Sequence, residues 1–151
     1  KYISAHESMI NEVSGNNYFS EPVAFSLEDS DIRETIRPYI MGRIVDVDMF
    51  LERYRFDPDA SGTVTLSVSD PFLEWNDKTL TIAIANGKAT PCTESAARKA
   101  SLSIGTLTTL LLGYKRASEL AKLDRIDADE ATLRLLDNAV IAEKPYISDY
   151  I

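Results

Sequence analysis

The spacing of hydrophobic residues changes period at Asp46. Before it, Ile40, Gly42 and Ile44 alternate with Met41, Arg43 and Val45, the two-residue period of a strand. After it, Val47, Phe50, Leu51 and Tyr54 fall at i, i+3, i+4 and i+7, one face of a helix. Asp46 stands at the junction, where a carboxylate accepts from free N–H groups of the first turn and opposes the helix dipole. Pro38 pushes the preceding residue out of the helical region and marks the start of the unit.

Further along, Asp57-Pro58-Asp59-Ala60-Ser61-Gly62 is a turn cluster. Val64, Leu66 and Val68 alternate with Thr and Ser as a half-buried strand, which Asp70-Pro71 breaks. Leu80, Ile82 and Ile84 predict a second strand, and Asn86-Gly87 is the preferred pair for a tight hairpin. Pro91 confines the returning strand to an edge or ends it. Ala100, Leu102 and Ile104 read as another strand.

The pattern turns helical at Ser103 to Thr106, with Leu107, Leu110, Leu111 and Tyr114 as its stripe and Gly113 near its end. Leu120 and Leu123 lie on a short helix from Ala117. Asp127-Ala128-Asp129-Glu130 has the form of a capping box opening a helix with Leu133, Leu136 and Val140 on one face. Pro145 closes the helical possibilities, and the last six residues read as an extended tail. The sum is an α+β architecture, a mainly antiparallel sheet with helices packed on one side.

Residues 1–37 read as a different unit. Ile3, Met9, Ile10 and Val13 suggest a helix, alone or passing into a strand, followed by a loop at Ser14 to Asn17. Val23, Phe25 and Leu27 alternate like a short strand, and Asp31 to Arg37 has room for one or two helical turns. This is too little to bury its own core. Residues 38–151 are expected to form the self-sufficient domain.

Composition narrows the function classes. The 151 residues carry 16 basic and 24 acidic side chains, a net charge of −8. That balance argues against nucleic-acid binding, which relies on basic patches, and is compatible with attracting cationic amines. No apolar run approaches the length of a membrane span. The single cysteine, Cys92, excludes an internal disulfide and fits a reducing, cytoplasmic setting. The first residue is Lys1 with no signal-peptide pattern after it, so a piece of a longer chain is expected.

Several stretches in order carry a family resemblance. They are Pro38-Tyr39-Ile40-Met41-Gly42-Arg43-Ile44-Val45-Asp46-Val47 with Phe50-Leu51, Asp70-Pro71-Phe72-Leu73-Glu74-Trp75-Asn76, Leu102-Ser103-Ile104-Gly105-Thr106-Leu107, Leu112-Gly113-Tyr114, and Ser148-Asp149-Tyr150. Together they resemble the C-terminal part of Eis-type N-acetyltransferases of the GNAT superfamily, whose last domain is similar to sterol carrier protein 2. The resemblance implies that residues 1–37 are the tail end of a truncated GNAT-like middle domain and that residues 38–151 are the sterol-carrier-like domain. It implies acetyl-CoA as cofactor and a small-molecule primary amine as substrate of the full-length protein. Its partners would be the N-terminal acetyltransferase domains of the same chain, in a homo-oligomer.

The resemblance also implies a catalytic role for the chain end. In the family the terminal α-carboxylate reaches the acetyltransferase active site as general base, with a tyrosine of the first domain as general acid. Carried over, the base is the carboxylate of Ile151, with Asp149 and Tyr150 beside the substrate. The tail departs from the family in ending on Ile rather than an aromatic residue. An α-carboxyl has a reference pKa of about 3.3–3.7, low for a base near neutrality. Desolvation raises it and a bound ammonium lowers it, so binding and orienting the amine is its main expected contribution.

The remaining candidates have bland readings. The Arg/Gln-x-x-Gly-x-Gly/Ala turn that grips the pyrophosphate in this superfamily is absent, so no cofactor site is expected within the chain. His6 lacks facing carboxylates for a metal, and Cys92 has no activating neighbour. Asp46 and Asp48 fit a helix start. Trp75, with Phe72 and Leu73, and the leucine stripe at 107–111 read as packing first and as the lining of a lipid cavity second. The alternative function is therefore a sterol-carrier-like module holding an apolar ligand between sheet and helices. A filled core favours the acetyltransferase reading and a continuous apolar tunnel favours the carrier.

Overall fold

The computed structural model describes residues 5–15, 24–26, 32–35 and 41–145. The chain divides into two compact units. In the smaller, Glu7–Met9 and Ala24–Ser26 are single 3₁₀ turns, the first closed by a bond from the Met9 N–H to the His6 carbonyl at 2.9 Å. The strand expected around Phe25 is therefore a 3₁₀ turn with Phe25 on its surface, and residues 32–35 are not helical.

In the larger unit residues 41–46 lead into α1, Val47–Arg53. The side chain of Asp46 caps it by accepting from the Met49 N–H at 2.9 Å. Val47 and Leu51 are buried, with Phe50 and Tyr54 packed beside them. Five strands follow the turn cluster and its neighbours: β1, Gly62–Ser69; β2, Lys78–Ala85; β3, Lys88–Cys92; β4, Lys99–Ser103; and β5, Ile126–Ala128. They form one sheet in the order β3-β2-β1-β4-β5. The β1–β2, β2–β3 and β4–β5 pairings are antiparallel and β1–β4 is parallel.

The β2–β3 turn has positive φ at both Asn86 (52°) and Gly87 (76°), matching the twist of the flanking strands. Pro91 lies in β3 at the sheet edge, where its missing N–H costs no ladder bond. Three helices complete the unit: α2, Ile104–Leu111; α3, Ala117–Lys122; and α4, Glu130–Ala139. Ile104 opens α2 rather than ending β4, because the Ser103 hydroxyl accepts from the Thr106 N–H and caps the helix. Asp129 caps α4, while Asp127 belongs to β5, a short strand that three residues of sequence do not announce.

Val64, Leu66, Val68, Ile82, Ile84, Ala100 and Leu102 line the core face of the sheet. Ile104, Leu107, Leu110 and Leu111 of α2, Leu120 of α3, and Leu135, Leu136 and Ala139 of α4 complete the core. Tyr114 and Leu123, expected on helical stripes, lie just beyond their helices and are exposed.

The segment before α1 departs from expectation. Residues 41–46 pair with no strand, and the chain bends at Val45. Their backbone groups are taken by side chains instead. The Ile44 N–H donates to Thr108 Oγ1 at 3.2 Å, and the Val45 carbonyl accepts from Trp75 Nε1 at 2.8 Å and Asn76 Nδ2 at 3.0 Å.

Candidate functional site

Two polar clusters in the larger unit tie chain segments together. The first is built on the loop after β1. Asp70 forms a turn with its own backbone: Oδ1 accepts from the Phe72 N–H at 3.0 Å and the Leu73 N–H at 3.2 Å. Arg43 Nη2 lies 2.6 Å from both carboxylate oxygens, and its guanidinium stands 5.7 Å from the Phe72 ring centroid. Asn76, fully buried, donates to Asp70 Oδ2 at 3.1 Å and accepts from the Val47 N–H at 3.0 Å. Burial pushes the Asp70 carboxyl up, but the bonds from Phe72, Asn76, Arg43 and Leu73 outweigh it and hold the carboxyl at about 2. This is a stable ion pair that docks residues 43–47 onto the domain. It has no group poised near neutrality for proton transfer.

The second cluster governs how the chain leaves α4. Arg116 Nη1 donates to the Val140 carbonyl at 2.8 Å, and Arg116 Nε stands 3.6 Å from Asp137 Oδ1. Asp137 also accepts from the Ala117 N–H at 2.6 Å, closing the start of α3 from across the fold. Residues 141–145 then run past Gly113, which has φ of 72°. Near the strap, Glu119 is lowered from the usual carboxylate range, first by the Arg116 N–H, against the opposing effect of burial, with further help from the charges of Lys115 and Lys144. Tyr54 is raised by burial, with the charge of Arg116 opposing.

The sequence-predicted site residues Asp149, Tyr150 and Ile151 lie outside the described residues. The other candidates take structural positions. Asp46 is the α1 cap, and Asp48 in its first turn pairs with Lys78. Trp75 is a loop anchor, but on the surface: it is 56% exposed, with its indole N–H on Val45. Leu107, Leu110 and Leu111 are core. Cys92, half-buried in β3, leans on the Thr90 carbonyl. Among the described residues, no three His, Cys, Asp or Glu side chains gather to hold a metal ion, and no helix is long and apolar enough to cross a membrane.

Two concavities on the larger unit are lined largely by polar residues. One, of about 450 Å³, is bordered by Asp57, Asp59, Ala60, Ser61, Leu135 and Asn138. The other, of about 300 Å³, is bordered by Ala97, Lys99, Ser101, Asp127, Ala128 and Asp129.

Sequence reading missed both polar clusters. Asp70-Pro71 carries a turn signal that could have located the first. The second joins residues from three separate elements and has no local signature.

Comparison with known proteins agrees with this architecture. The sterol carrier protein domain family matches residues 47–148, and the chain belongs to that family. Among solved structures, a conserved protein from Enterococcus faecalis V583 described as a probable N-acyltransferase is 34% identical, with a TM-score of 0.67 over 72% of this chain and 28% of its own. A GCN5-related N-acetyltransferase from Kribbella flavida is 26% identical, with a TM-score of 0.62 over 72% of this chain and 28% of its own. Eis1 from Mycobacterium abscessus shares the fold at 18% identity, with a TM-score of 0.59 over 72% of this chain and 27% of its own. The chain thus spans little more than a quarter of each of these proteins. No curated protein sequence matches it. The fold and these matches bear out the resemblance to the C-terminal, sterol-carrier-like part of an Eis-type protein.

Proposed function

We propose that this chain is the C-terminal part of an acetyl-CoA-dependent N-acetyltransferase acting on primary amines. In this reading residues 1–37 close a GNAT-like middle domain, and residues 38–151 brace the acetyltransferase domain and bring the Ile151 carboxylate to its active site. Asp149 and Tyr150 flank the amine there. The chain itself holds no acetyl-CoA; the cofactor binds the N-terminal domains of the same, homo-oligomeric protein.

The observation that carries this reading is the likeness, at 34% identity over 72% of the chain, to a protein described as a probable N-acyltransferase. The core adds support. Leu107 and Leu110, each 1% exposed, fill the space between sheet and helix where a carrier would keep an apolar tunnel. The family match to residues 47–148 favours the second reading, a module that binds an apolar ligand.

The test is the full-length protein assayed with acetyl-CoA over a panel of primary amines, with and without Ile151. Acetylation that collapses on removing Ile151 supports the proposal. Turnover unchanged by the deletion removes the carboxylate from the mechanism. No acetylation of any amine, together with saturable uptake of a fluorescent fatty acid by the chain alone, favours the carrier.

A further inference from the structure

The strap at residues 141–145 crosses Gly113 so closely that no side chain fits between them. A Cβ on Gly113 would stand 2.1 Å from the Glu143 carbonyl oxygen and 3.1 Å from that of Ile141. Both carbonyls therefore press on one point. Upstream, Arg116 grips the Val140 carbonyl at 2.8 Å. The strap is thus held at Val140 by Arg116 and passes close over Gly113.

We propose that Gly113 and Arg116 are positioning residues that aim the C-terminal tail, fixing the direction in which the Ile151 carboxylate is presented. This rests on the reading of Ile151 as a catalytic group. Neither residue touches substrate; both act through the strap. The eight residues from Lys144 to Ile151 reach at most about 28 Å. Catalysis tolerates little error in the placement of a reacting group, since about 1 Å of misplacement can cost around 100-fold in rate.

The glycine is required twice, for its positive φ and for its missing Cβ. Gly113→Asn separates the two, because Asn adopts positive φ at little cost yet carries the intruding carbon. The experiment measures kcat and KM in the full-length protein for Gly113→Asn, Arg116→Met, the Ile151 deletion, and the deletion combined with Gly113→Asn. Hydrogen exchange of the 141–145 amides is followed in the same proteins. Arg116→Met loosens the Val140 grip without touching the glycine, so the test survives if Gly113→Asn fails to fold.

The expected result is a loss of about 10- to 100-fold in kcat for each point variant. The KM for acetyl-CoA should not move, exchange at 141–145 should quicken, and Gly113→Asn should add no loss once Ile151 is gone. Wild-type kcat in the point variants, while the deletion alone lowers it, overturns the positioning role and leaves the catalytic tail standing. Unchanged turnover on deleting Ile151 overturns the catalytic tail, and the positioning role with it. A further loss from Gly113→Asn in the deletion background also overturns the proposal, because the glycine would then be acting on something other than the tail.

Discussion

Asn76 accepts the backbone N–H of Val47 at 3.0 Å, a donor at the start of α1 that has no partner within its own helix. The same side chain donates to the Val45 carbonyl and to Asp70. One buried amide thus uses its acceptor and both kinds of neighbour, backbone and carboxylate, to hold the start of the domain against the loop after β1. In Asn76→Ala the Val47 N–H loses its partner in a site that water does not reach. The Val45 carbonyl keeps only Trp75. The expected loss is about 3 kcal/mol of unfolding free energy, read from urea denaturation of residues 38–151. A loss under about 0.5 kcal/mol would mean the segment is held by packing alone.

The pH dependence of stability should carry the mark of Asp70. Its carboxyl is held at about 2 in the folded chain, against an ordinary value near 3.9 when unfolded. Between those values the unfolded state binds more protons, so stability rises with pH there. The contribution is fully present above about pH 4 and is lost as pH falls toward 2. Asp129, lowered mainly by Thr132, and Glu119, lowered mainly by the Arg116 N–H, act in the same direction. Asp70→Asn isolates one group. The stability difference between wild type and Asp70→Asn should shrink between pH 4 and pH 2, and a constant difference across that window would contradict the assignment.

The core offers a test of the carrier reading. Leu107 is 1% exposed and packed between α2 and the sheet. Leu107→Ala should lower stability by about 3 kcal/mol, the usual result of leaving a cavity where a filled core cannot collapse. In a domain built around a ligand tunnel, the same truncation would widen an existing void at smaller cost and alter the uptake of a fluorescent fatty acid. Thermal melts with and without that probe distinguish the two.

Much of this arrangement is legible in the sequence where one local rule acts alone. Asn86-Gly87 gives its hairpin because both positions need positive φ, and Val64, Leu66 and Val68 give a strand because one face is buried. Asp46 announces α1 because its carboxylate bonds within the first turn of the helix it precedes. The failures occur where distant residues decide. Ile40 to Val45 alternate like a strand, yet the described part of that segment is held by Trp75, Asn76 and Thr108, none of which is near in sequence. Ile126–Ala128 is too short to show a period and exists because β4 offers it an edge. The bond of Arg116 to Val140 and the close pass of the strap over Gly113 are likewise tertiary. The tail residues Asp149, Tyr150 and Ile151 stand out only through family resemblance, since nothing in their own pattern distinguishes them from any chain end.

Asp137 supplies the last prediction, because it serves one helix while belonging to another. From α4 it accepts the Ala117 N–H at 2.6 Å and reaches the Ser118 N–H at 3.3 Å, taking two of the donors that the start of α3 leaves unpaired. No side chain closer in sequence does this work. Asp137→Ala should therefore lower stability by about 1–2 kcal/mol, the range for loss of a helix cap. Asp137→Asn, which keeps an acceptor oxygen but loses the charge opposite Arg116, should fall between the two. The measurement is a urea titration of all three proteins, with exchange of the Ala117 and Ser118 amides as the local readout. Equal stability of the Ala and Asn variants would mean that charge rather than acceptance is what α3 requires from Asp137.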